Sequence, residues 1–75
     1  MRDLSIRGDM IRLGQLLKLA GVADSGTEAK LLLATGDVAV NGEREQRRGR
    51  QLHDGDLVEA AGDAIRVRAS HATKR

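Results

Sequence analysis

The spacing of hydrophobic positions changes along this chain, and each change marks a new element. Residues 3–7, DLSIR, alternate polar and apolar with Leu4 and Ile6 on one face, which predicts a short strand. Gly8-Asp9 then turns the chain. From Arg12 the period lengthens. Leu13, Leu16, Leu17 and Ala20 recur as the apolar stripe of a helix, with Gly21 placed to stop it and Gln15 and Lys18 projecting elsewhere. Ser25-Gly26-Thr27-Glu28 fits a capping box, in which the serine oxygen accepts from an early helix N–H and the glutamate reaches back. Ala29, Leu32 and Leu33 form the stripe of this second helix, and Gly36 stands at its C-terminal cap. Leu31 falls on the opposite face, where it must meet the sheet or a partner.

After Asp37 the period becomes two. Val38 and Val40 alternate, Asn41-Gly42 is a type I′ hairpin signal, and Glu43–Glu45 returns as a strand. Residues 47–50 make a polar excursion. Gln51-Leu52 is extended, Asp54-Gly55 turns it, and residues 57–60 continue. Gly62-Asp63 is the last expected turn. Ile65, Val67 and Ala69 then alternate with Arg66, Arg68 and Ser70 as the final strand. The tail at 71–75 is expected to fray. The pattern predicts one α+β domain over residues 1–70, with two helices packed on a small, mostly antiparallel sheet.

Composition narrows what this fold can do. With 75 residues and no Phe, Tyr, Trp or Cys, the core must come from Leu, Ile, Val and Ala, without disulfides or Cys-based zinc. Such a chain suits a reducing cytosol, and cytoplasmic location is expected. No apolar run is long enough to span a membrane, and the N-terminus has no signal-peptide h-region. The chain lacks phosphate-loop and dinucleotide glycine patterns. Asp54-Gly55-Asp56 lacks the spaced ligands of a calcium loop, and His53 and His71 read as isolated surface residues. No catalysis, cofactor or small-molecule substrate is expected.

The net charge is only +2, so placement matters more than the sum. Arg44, Arg47, Arg48 and Arg50 crowd one short stretch, VNGEREQRRGRQLHDGD. Glu43 and Glu45 alternate early in it, whereas Arg47, Arg48 and Arg50 have no acidic neighbour until Asp54. One reading is a solvated edge that discourages aggregation. The other is a phosphate-binding loop, because arginine presents a planar fork that grips phosphate in two places. Residue types alone leave both open.

The ordered set Arg12-Leu13, Gly21-Val22, Ser25, Gly36-Asp37-Val38-Ala39-Val40-Asn41-Gly42 and Gly55-Asp56 resembles the small RNA-binding domain named after ribosomal small-subunit protein four. LGQLLKLAG and QRRGR are similar to small bacterial members in which this domain is the whole protein. The resemblance spans about residues 4 to 68. It implies the alpha-L arrangement of two helices on a small sheet, and binding to structured RNA, ribosomal or otherwise stable. It also implies a patch in which Lys18 and Lys30 join Arg44, Arg47, Arg48 and Arg50, with the N–H groups at Ser25 to Thr27 able to meet a phosphate. Many members carry an arginine after the helix-two serine, where this chain has Gly26. Asn41 is read as a turn residue. Without aromatic side chains to stack unpaired bases, recognition should rest on phosphate, 2′-hydroxyl and shape. A monomer is expected. The rival reading is a protein-interaction module using the sheet edge and Leu31.

Overall fold

The apolar stripes described above are the surfaces that meet in the core. The structure, a computed structural model, describes residues 1–69; the tail expected at 71–75, with His71, lies outside the described residues. Among the described residues nine elements run in order: β1 (Arg2–Ile6), β2 (Ile11–Arg12), α1 (Leu13–Leu19), α2 (Gly26–Thr35), β3 (Val38–Val40), β4 (Glu43–Arg44), β5 (Gln51–Leu52), β6 (Leu57–Ala60) and β7 (Asp63–Ala69). Leu13, Leu16, Leu17 and Ala20 of the first helical region are all buried. They share the core layer with Ala29 and Leu33 of α2 and with Val38, Val40, Val58, Ile65 and Val67 of the sheet. Burying these side chains is the main driving force for folding. Leu31 does not meet the sheet: it is 61% exposed.

The main sheet has the order β1-β7-β6-β3-β4. Its β7–β6, β6–β3 and β3–β4 ladders are antiparallel, as expected, but β1 pairs with β7 in parallel, Arg2 opposite Ile65 and Ile6 opposite Ala69. The sheet is therefore mixed. Arg2 ties this parallel pair to the helices, since its guanidinium donates to the Ala20 carbonyl at 2.6 Å and pairs with Asp63 at 2.8 Å. A separate two-stranded bridge joins β2 to β5, with Ile11 opposite Leu52 and Arg12 opposite Gln51. No helix among the described residues is long and apolar enough to cross a membrane.

Both two-residue hairpins use positive φ at both loop positions. Asn41 (53°) and Gly42 (87°) form the turn that the sequence announces. The final turn is corrected from Gly62-Asp63 to Ala61-Gly62: Ala61 has φ 51°, Gly62 has φ 79°, and Asp63 already pairs with Ala60. The alternation of β7 extends back to Asp63, which shifts the loop by one residue. Alanine is strained in this conformation because its Cβ crowds the carbonyl oxygen. Ala61→Gly is expected to raise unfolding stability by roughly 0.5–1 kcal/mol, the relief of strain outweighing glycine's greater unfolded-state freedom. A urea titration reads the change, and a loss of stability would contradict the left-handed assignment.

Candidate nucleic-acid interface

The arginine loop is built around a buried acid. Glu45 follows β4, and its backbone N–H donates to the Val38 carbonyl at 3.0 Å, which turns the side chain inward. Its side chain is only 8% exposed. One carboxylate oxygen accepts from the backbone N–H and the Nε of Arg47, at 3.1 and 3.0 Å. The other accepts from Nη2 of Arg47 at 3.1 Å and Nη1 of Arg50 at 2.8 Å. These bonds to Arg47 and Arg50 push the carboxyl pKa down from 4.5 to about 2, and they hold Arg47 above its usual value. The expectation that Arg47 and Arg50 have no acidic neighbour before Asp54 is thus corrected. Glu45 reaches them because the chain reverses after β4 and brings residue 50 back beside it.

The same reversal docks the loop on α1. The first N–H groups of that helix, at Leu13 and Gly14, donate to the carbonyls of Arg50 and Arg48 at 2.8 and 2.9 Å. A helix start has unpaired donors, and here loop carbonyls satisfy them. Gly14 permits the approach: a Cβ there would lie 3.3 Å from the Arg48 Cβ. Arg12 adds a bond from Nη1 to the Gly49 carbonyl at 3.3 Å.

This docking brings Arg48 to the mouth of α1 and α2. An open cleft of about 310 Å³ is lined by Arg12, Gln15, Lys18, Gly26 and Arg48, among others. A second, of about 220 Å³, is lined by Lys30, Leu33, Gln46 and Arg48. Arg48 therefore stands between Lys18 and Lys30, and all three side chains are exposed. No ion pair among the described residues engages any of them. The head of α2 opens beside the first cleft. Ser25 caps it by accepting from the Glu28 N–H at 3.1 Å, while Glu28 accepts from the Asp24 N–H at 2.7 Å, one residue earlier than the usual box. The N–H groups of Gly26 and Thr27 have no acceptor within the helix. A side chain at Gly26 would meet open space.

Arg44 lies elsewhere. It pairs with Ala39 on the face of the sheet away from the buried Val38 and Val40. Its guanidinium packs against Gly36, the C-terminal cap of α2. A cation there complements the negative end of the helix dipole. The cleft at Gly26 is at the other end of this helix, roughly 15 Å away at 1.5 Å per residue. Arg66 and Arg68 also project from the outer sheet face, where Arg68 pairs with Asp3 at 3.5 Å.

The residues of the two turn motifs hold each other. Asn41 donates through Nδ2 to Asp56 at 3.1 Å and accepts through Oδ1 from the Leu57 N–H at 2.9 Å. Asp56 also accepts from the His53 N–H at 2.7 Å, and Asp54 from the Ala69 N–H at 2.9 Å. Asn41 is a structural clasp, and both acids of the Asp-Gly-Asp turn are spent within the fold, Asp54 on a backbone N–H and Asp56 on a backbone N–H and Asn41. The sequence pattern of the S4 domain matches residues 4–68, the stretch that carries this clasp, the two helices and the arginine loop.

The chain belongs to the S4 domain family. Among relatives of this S4 domain, the Bacillus subtilis protein named "Probable ribosome maturation protein RlbA" is 52% identical over 59 residues, covering 79% of this chain and 83% of that protein. The Escherichia coli "Putative RNA-binding protein YbcJ" is 39% identical over 57 residues, covering 76% and 81%. The crystal structure of 30S ribosomal protein S4e from Thermoplasma acidophilum is similar at a TM-score of 0.60 and 26% identity. That likeness covers 77% of this chain but only 31% of the S4e chain.

Sequence reasoning left out of the candidate set Arg12, which lines the first cleft, and Glu45, which lines neither cleft but binds Arg47 and Arg50. Arg12 was legible as a motif residue, but only the fold turns it toward Gly49 and Arg48. Glu45 was visible as an acid two residues before Arg47, alternating with Glu43, but nothing local showed that the loop would return to it.

Proposed function

We propose that this S4 domain is a non-catalytic, monomeric cytoplasmic protein that docks on structured RNA, ribosomal RNA above all, through phosphate contacts. The observation that carries the reading is Arg48, standing between Lys18 and Lys30 with no ion pair to any of the three among the described residues. Arg12 extends the basic surface, Arg47 and Arg50 hold its loop through Glu45, and the Gly26 and Thr27 N–H groups add donors at its rim. Ser25 contributes as the cap that keeps those groups in place. Arg44, at the opposite end of α2, serves the helix terminus. The relatives' names, "Probable ribosome maturation protein", "Putative RNA-binding protein" and 30S ribosomal protein S4e, support the same class of partner.

Salt dependence tests this directly. With four to six basic groups displacing counterions, binding to purified ribosomal RNA should fall with a log–log salt slope of roughly −3 to −5. Filter binding across ~50–200 mM salt measures it. A flat response would overturn the RNA reading and favour protein docking through exposed Leu31, since apolar contacts hold or tighten with salt.

A further inference from the structure

An acid in the middle of a basic surface should weaken the binding of an anion. Glu45 is such an acid, and its placement indicates the reverse. Its two oxygens pin Arg47 by three bonds and Arg50 by one, so that both ends of the 47–50 turn are gripped by one buried carboxylate. The turn closes on itself through the Arg50 N–H and the Arg47 carbonyl at 3.2 Å. Between those two arginines sits Arg48, whose carbonyl is fixed to Gly14 and whose side chain lines both clefts. The carboxylate is thus spent on the two flanking residues and leaves Arg48 without an ion pair among the described residues.

We propose that Glu45 is a positioning residue for RNA: by pinning Arg47 and Arg50 it fixes the loop that presents Arg48 between Lys18 and Lys30, and so strengthens binding despite its negative charge. The inference rests on the RNA reading above and adds a member that touches no RNA. Its physical basis is preorganisation. A loop ordered before binding does not have to be ordered by the ligand, and long arginine side chains are among the costliest to immobilise.

Charge and geometry give opposite signs here. Glu45→Gln keeps the side-chain size and raises the net charge by one. If Glu45 acts only through its charge, the variant binds RNA more tightly. If it positions the loop, the variant binds about fivefold more weakly, the scale of newly ordering a long side chain on binding. Fluorescence anisotropy with a labelled stem-loop RNA reads the difference, with circular dichroism confirming the fold. Unchanged or tighter binding by Glu45→Gln overturns the inference. Should that variant fail to fold, Glu45→Asp decides: it retains the charge but shortens the reach, so weaker binding supports positioning and unaltered binding overturns it. Arg48→Glu, measured alongside, separates the two levels. If it binds as the parent does, the RNA reading itself fails; if only it weakens while Glu45→Gln does not, the positioning role alone is lost.

Discussion

Arg48→Glu should weaken RNA binding by about ten- to a hundredfold, from the loss of a charge-assisted contact worth roughly 1.5–3 kcal/mol. Lys18→Glu and Lys30→Glu should move in the same direction, because both flank Arg48 across its clefts. Arg66→Glu and Arg68→Glu change net charge equally but act on the outer sheet face. They should cost only a few-fold, the long-range part of the attraction that salt largely screens. Each variant is compared with the parent by RNA titration after circular dichroism shows that it is folded. Equal losses from the cleft and the outer face would mean that binding follows total charge and that the cleft has no special part in it.

Glu45→Gln should lower unfolding stability by roughly 1.5–3 kcal/mol, the scale of hydrogen bonds to a charged group. The loss should also depend on pH. The folded-state pKa of about 2 lies below the ordinary 4.5, so folding favours the ionised carboxylate. Its contribution is complete above pH 4.5 and declines as pH falls toward and through about 2, where the parent's carboxyl is itself protonated. The stability difference between parent and Glu45→Gln should therefore be constant near neutrality and shrink between pH 4.5 and 2. Urea titrations of both proteins along a pH series measure it. A difference that stays constant down to pH 2 would show that the carboxylate is not held by the arginines.

Local signals were enough wherever one element carried its own pattern. The stripes Leu13, Leu16, Leu17 and Ala20, and Ala29 with Leu33, are buried as their spacing required, while Leu32 of the same stripe is only half-buried against the core. Ser25 caps α2, Gly36 ends it in the left-handed conformation, and Asn41-Gly42 turns with both φ values positive. These features depend on residues a few positions apart, and the backbone preferences that produce them act at that range. The family resemblance was equally legible, because its motif residues are the caps, turns and clasps that the fold requires at fixed spacing.

Tertiary structure decided what lay between distant residues. The β1–β7 pair joins the ends of the described chain, and no local pattern distinguishes a parallel partner from an antiparallel one. The stretch of four arginines was plain in the sequence, but their division was not. Arg44 turns to the C-terminus of α2, Arg47 and Arg50 turn to Glu45, and Arg48 alone is left between two lysines from separate helices. Strand alternation grouped Glu45 with Glu43 and carried no sign of the returning loop, because it counts only neighbours along the chain. The fold buries Glu45 because the loop returns with enough donors to replace the water that burial removes. The sequence by itself thus determined the helices, the turns and an excess of arginine at one place. Which arginines are spent on the protein and which remain for a phosphate depends on contacts that exist only once the chain has closed.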